Sequence, residues 1–196
     1  KSGIKMSTFY VATTGCDTND GSAEHPFATL QKAVDSCEQG SVNVVNIADG
    51  TYTQATDVSY YKVVSFIGNV TTPANVVISD GGTMRILFRA QDHAILTVSG
   101  VKFNGAAGSM CVAARQFSIV DANDCEFGAA AIHVNVSECS KINVFNANVT
   151  GSAQYFGIAS HLSQVSIGGT LTVANGLTFT SFLAAFWKSV FLCYPS

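Results

Sequence analysis

At 196 residues the chain is long enough for one well-buried core and too short for two ordinary domains. Charged residues make up 12% of it, against roughly 25% in average soluble domains, while the hydrophobic share is 47%. A net charge of -3 with scattered Lys and Arg leaves no basic stripe for nucleic acid, and no apolar run reaches the ~18 residues of a membrane-spanning helix.

Residues 1–8 lack an apolar signal-peptide core and read as a leader or linker. Residues 9–40 begin with a strand, FYV, and continue through the Asp/Asn/Gly-rich turn CDTNDG into one amphipathic helix. Phe27, Leu30, Ala33, Val34 and Cys37 share a helical face, and Gly40 ends the element. A calcium loop would need acidic or amide groups at positions 1, 3 and 5, Gly at 6 and Glu at 12. Counted from Asp17, Gly21 falls at position 5 and Ala28 at 12, so Asx-turns explain the stretch better and no metal is expected.

Residues 41–176 read as repeated short strands. SVNVVNIADGTYTQ, KVVSFIGN and ANVVISDGG supply the first strand-and-turn segments; ILTVSGVKFNG, IVDANDCEFG, KINVFNANVTG and QVSIGGTLTV follow. The first inward position recurs after 24 residues (Leu96 to Val120), 22 (Val120 to Ile142) and 23 (Ile142 to Val165). Period-two alternation indicates strands, and a bend residue follows the second apolar position: Gly100, Asp124, Asn146. Further strands are expected around 110–112, 132–136 and 156–158. Units this short cannot bury their own apolar faces and must stack. A leucine-rich repeat has a similar period, but its LxxLxL pattern and its helix per turn are missing. The expected fold is therefore an all-β right-handed parallel β-helix of six or seven coils, with the strand and helix of residues 9–40 as its N-terminal cap, because an open end of stacked coils exposes backbone edges.

Residues 177–196 form the most apolar stretch. Leu183, Phe186, Trp187, Val190 and Phe191 have helical spacing and suit a C-terminal cap or a contact with another subunit; the 23-residue step instead predicts a further coil starting at Lys188.

YVATTGCDTNDGSAEHPFATLQKAV, followed by VNIADGTYTQ and SFIGN, resembles the opening of the pectin-lyase-like β-helix superfamily, and the resemblance extends over residues 9–175. It implies a solenoid and, as one function, a polysaccharide lyase or glycoside hydrolase, with calcium as a cofactor if the chain is a lyase. Such chemistry needs convergent carboxylates and a base. The candidates are Asp121, Asp124 and Arg115, with Lys141, Asp80 and Arg85 near. GVKFNGAAGSMCVAARQFSIVDANDCEFGAAA is similar in layout to pectin methylesterases, yet Met110–Cys111 and Ala129–Ala131 stand where those enzymes carry a Gln and a catalytic Asp. The resemblance thus transmits the scaffold and not the activity. Asp124 occupies a bend position and Asp121 alternates outward.

Six cysteines (Cys16, Cys37, Cys111, Cys125, Cys139, Cys193) suggest three disulfides, with Cys16–Cys37 as the preferred pair; buried reduced thiols are the alternative. His25, His93, His133 and His161 are dispersed and read as structural or solvated. Sequons fall at Asn69, Asn135 and Asn148, all expected to point outward or to sit in a turn. The composition favours a non-catalytic extracellular or surface protein over an enzyme. Its role is structural, adhesive or glycan-binding, with carbohydrate or further subunits as partners.

Overall fold

The structure is a computed structural model that describes residues 5–83 and 86–194. Strand β1 (Met6–Val11) pairs in parallel with the first strand of the solenoid, so residues 6–8 belong to that strand and not to a leader. Helix α1 (Leu30–Ser36) begins at Thr29, whose side chain accepts the Lys32 amide at 3.2 Å as an N-cap. Leu30, Ala33 and Val34 form its buried face as expected, but the helix is shorter than the spacing suggested: Phe27 lies before it in a β-bridge with Val11, and Cys37, not Gly40, caps its end. Gln54 Oε1 accepts the Leu30 amide at 2.9 Å and Gln31 Oε1 accepts the Asp57 amide at 2.8 Å, which ties α1 to the first coil.

Six coils follow, each running over three faces. The first is β2 (Val42–Ile47), β3 (Gly50–Thr53) and β4 (Thr56–Val58); the second is β5 (Val63–Ile67), β6 (Val76–Ser79) and β7 (Ile86–Ala90). The third is β8 (Ile95–Ser99), β9 (Lys102–Asn104) and β10 (Met110–Ala114), and the fourth is β11 (Ile119–Asn123), β12 (Glu126–Phe127) and β13 (Ile132–Val136). In the fifth and sixth, β14 (Lys141–Val149) and β16 (Gln164–Val173) each bend across two faces before β15 (Tyr155–Ala159) and β17 (Ser181–Ala185). β18 (Val190–Cys193) opens a seventh. The first two faces form one 12-stranded sheet and the third a six-stranded sheet, and every strand pairing is parallel. The fold is thus an all-β right-handed parallel β-solenoid of about 6 turns.

Residues at the same place in successive coils stack directly. Leu96, Val120, Ile142 and Val165 stand in one column and are fully buried, as the spacing requires. On the second face Ile78, Phe103, Phe127 and Val149 stack likewise, with the Phe103 and Phe127 ring centroids 5.5 Å apart. Each fully buried Phe contributes about 1.5–3 kcal/mol of transfer free energy, so the column is a spine along the axis.

The tail departs from its helical spacing. It is β17 and β18, and Val165 pairs with Phe191, a step of 26 residues rather than the 23 that pointed to Lys188. The turn 174–180 absorbs two of the three extra residues, and a bulge in β16 between Gly168 and Leu171 absorbs the third.

Candidate functional site

The corner leading into the first face is built from an unusual backbone. Six successive coils turn there on two consecutive non-glycine residues at positive φ: Tyr60–Tyr61, Asp92–His93, Gln116–Phe117, Glu138–Cys139, His161–Leu162 and Trp187–Lys188. Bulky residues rarely adopt this left-handed region. What holds them is the ladder between coils. Tyr61, His93, Phe117, Cys139 and Leu162 each donate their amide to the next corner, to the carbonyls of Asp92, Gln116, Glu138, His161 and Trp187 at 3.0 Å. Behind them runs a serine ladder: Ser118, Ser140, Ser163 and Ser189 accept the amides of Ala94, Ser118, Ser140 and Ser163 at 3.0–3.2 Å.

The side chains at this corner form an exposed ridge. His93 stacks between Tyr61 (4.8 Å between centroids) and Phe117 (5.2 Å), and His161 stacks on Trp187 (4.5 Å). Tyr60 and Trp187 remain 68% exposed. Sequence reasoning missed both ladders. The serines carried a legible signal, since each lies two residues before an inward position: Val120, Ile142, Val165 and Phe191.

Beside the ridge, the outward side of the first face carries Ser65, Thr97, Asp121, Asn143 and Ser166 in strict register. Asp121 Oδ1 accepts the Asn143 amide at 2.6 Å. Asp124 lies at the far edge, at φ 51°, in the bend that Gly100 (67°), Asn146 (52°) and Gly169 (64°) occupy in neighbouring coils. With Thr71, Asn146, Asn148 and Thr170 it lines a trough of about 300 Å³. Arg115 lies at the opposite edge, just before the Gln116–Phe117 corner, and its amide donates to Ala90 O at 3.0 Å. The five residues of β11 separate Arg115 from Asp124, a strand length of about 16 Å. Arg115 and Asp124 thus stand at opposite edges of the first face, with Asp121 on the strand between them.

Lys141 is exposed at the start of β14. Asp80 is buried in the turn after β6 and bonds the Gly82 amide at 2.8 Å, the Ala106 amide at 3.0 Å and the Ser109 hydroxyl. Burial works to raise its pKa, but these bonds outweigh burial and hold the carboxyl below its usual range. It ties one coil to the next. Arg85 lies outside the described residues.

His133 is fully buried among Phe127, Phe156 and Phe179. Its Nε2 is 2.8 Å from the Gly128 carbonyl and donates to it, while Nδ1 has no partner. Burial pushes its pKa down to about 4, with the Gly128 bond opposing. His25 is exposed.

The expected Cys16–Cys37 bridge is not formed, and all six cysteines are free thiols. Cys16 is exposed, with its sulfur 3.1 Å from the Thr18 hydroxyl, whereas Cys37 is buried under α1 and bonds Ala33 O. Burial pushes the Cys37 thiol up to about 11 and that of Cys125 to about 12, and raises Cys111 further; none of the three is a nucleophile. Cys139 and Cys193 are exposed.

The CDTNDG turn is held by its own side chains. Asp17 accepts the Ala28 and Thr29 amides at 2.9 Å and the Thr29 hydroxyl at 2.7 Å, and Asp20 accepts the Ser22 amide at 2.9 Å. Of the sequon asparagines, Asn69 bonds Asp49 and the Thr72 amide, Asn135 donates to the Met110 sulfur at 3.2 Å, and Asn148 is exposed on its strand.

Among solved structures, the chain is similar to pectin methylesterase from carrot, at 15% identity and a TM-score of 0.34, over 100% of this chain and 90% of that one. No curated protein matches it by sequence. A family model described as "Protein of unknown function (DUF1565)" matches residues 13–186, and the chain belongs to that family.

Proposed function

We propose that this chain is a non-catalytic, glycan-binding β-helix that works outside the cell or on a cell or virus surface. The observation that carries the reading is the strip formed by the outward ladder Ser65, Thr97, Asp121 and Asn143 and the aromatic ridge along its edge. Hydroxyls and amides in register offer repeated hydrogen bonds to a repeating ligand, and aromatic rings suit the apolar faces of sugars. The separation of Arg115 from Asp124, and the bond that occupies Asp121, count against a lyase or hydrolase. In this reading β1 and α1 cover the N-terminal end of the core, and in a eukaryotic secretory setting Asn148 is the sequon open to a glycan.

The test is incubation with polyuronates and neutral glycans, with and without calcium, reading new chain ends and retained protein together. Retention without cleavage is expected. Cleavage lost in Asp121→Asn or Asp124→Asn would overturn the reading in favour of an enzyme.

A second reading, assembly with further copies, is favoured by the last coil. There Val173, Phe186, Val190, Leu192 and Tyr194 are exposed, and β17 and β18 each pair on one side. Native mass measured across a concentration series decides it.

A further inference from the structure

We propose that the turn Asn175–Gly176 is a modification site at which the native chain deamidates without an enzyme, to aspartate and isoaspartate. The chain holds two Asn–Gly pairs, Asn104–Gly105 and Asn175–Gly176, and the fold treats them oppositely. The reaction requires the glycine amide nitrogen to reach the asparagine Cγ, so the nitrogen and the backbone beside it must be free to move. Glycine favours the approach because it has no Cβ to obstruct it.

Asn175 and Gly176 form an exposed two-residue turn between β16 and β17. Gly176 sits at φ 79°, and a Cβ built on it meets nothing within 4 Å. Neither its amide nor the Asn175 side chain has a hydrogen-bond partner among the described residues. The anchors to the fifth coil lie on either side: the Ala174 amide donates to Val149 O at 2.9 Å, and the Thr178 amide donates to Ser152 Oγ at 3.1 Å. Backbone free between two anchors opens locally with little loss of structure. At the other pair the Gly105 amide donates to Ala129 O at 2.8 Å. Asn104 Oδ1 packs against Gly128 of the next coil, 2.8 Å from where a Cβ would stand. Attack there must first break the Gly105 bond, beside the pairing of β9 with β12. The three Asp–Gly pairs can close the same ring in principle, but their carboxyls are engaged. Asp20 accepts the Ser22 amide, Asp49 accepts from Asn69 and Asn75, and Asp80 accepts from Gly82, Ala106 and Ser109.

Hydroxide removes the Gly176 amide proton, and the nitrogen attacks Asn175 Cγ. The N–Cγ bond forms, the Cγ–Nδ2 bond breaks, and Nδ2 leaves as ammonia with a proton from water. A five-membered succinimide remains. Water opens it at Cγ to give aspartate, or at the backbone carbonyl to give isoaspartate, whose main chain runs through Cβ and Cγ. In sum, one amide and one water become one acid and one ammonia, with no oxidant or reductant. The new carboxylate stands three residues before Thr178. Thr178, Phe179 and Thr180 wall a cavity of about 480 Å³ whose lining carries no charged residue. Deamidation thus gives that neutral cavity an acidic neighbour as the protein ages.

The wild-type chain is held at pH 8.5 and 37 °C, once native and once unfolded in guanidinium chloride. Each sample is digested in mild acid and read by mass spectrometry, with isoaspartate labelled by an isoaspartyl methyltransferase. In the native chain Asn175 should convert at least ten-fold faster than Asn104. In the unfolded chain the two should convert at similar rates, because both precede glycine. Gly176→Ala and Asn175→Gln should each lower conversion at this turn at least ten-fold, and the comparison within the wild type holds whether or not the variants fold. Absence of isoaspartate at position 175 in the native chain overturns the site. Equal native rates at the two pairs, or a ten-fold bias that persists on unfolding, overturn the role given to the fold.

Discussion

Acid should weaken this fold through one residue before the carboxylates contribute. His133 is enclosed by three phenylalanines and held neutral, with a pKa of about 4 against 6.5 for the free side chain. Because the folded-state value is the lower one, the unfolded chain binds the extra proton first as pH falls. The stability conferred by a neutral His133 is complete above about pH 6.5, declines as pH drops toward 4, and changes no further below that. A shift from 6.5 to about 4 corresponds to about 3 kcal/mol, of which about 2 kcal/mol is already lost at pH 5. For a domain of this size that is a fall of roughly 4–8 °C in Tm between pH 7.5 and 5. The assay is urea or thermal unfolding at pH 7.5, 6.5, 5.5 and 5 for the wild type and His133→Leu. Leucine already fills the same inward column at Leu87. The variant gives up the bond to Gly128 O, about 1 kcal/mol at every pH, and it removes the buried, unpaired Nδ1. Its curve should therefore be the flatter by about 2 kcal/mol over this interval. Parallel curves for the two proteins would refute the reasoning.

Ser140→Ala removes the acceptor of the buried Ser118 amide and should cost about 1–3 kcal/mol by urea unfolding, whereas a cost near zero would mean the serine ladder is ornamental. Gly151→Ala places a Cβ 2.1 Å from the Ala129 amide nitrogen, so the coils must part; a large loss of stability is expected, and a neutral result would contradict the register of β12 and β14. Ellman's reagent should titrate three thiols in the native protein (Cys16, Cys139 and Cys193) and three more (Cys37, Cys111 and Cys125) only after unfolding. Fewer than six under non-reducing denaturation would restore a disulfide. Phe127→Ala should cost about 3–5 kcal/mol, since its ring bridges Phe103 and Phe156 in the core.

The recurrence of inward positions was enough to place Leu96, Val120, Ile142 and Val165 in one column, because parallel coils put equivalent residues directly above one another and burial then demands apolar side chains there. Bend chemistry was equally local: Gly, Asp and Asn tolerate positive φ, so Gly100, Asp124 and Asn146 declared their corner. The helix face of Leu30, Ala33 and Val34 followed from its spacing. The tail misled because an apolar run of mixed spacing fits a helix or a strand alike, and the unpaired edge left by β15 and β16 decided for strands. The cysteines misled because composition says nothing of distance, and Cys37 faces the core while Cys16 faces solvent. The aromatic ridge was decided by tertiary structure alone. Tyr, Phe, Leu and Trp are poor residues for left-handed corners, and the 32-residue step from Tyr61 to His93 breaks the period. Only the stacked coils, which bond each corner to the next, bring residues so far apart in the chain within ring contact.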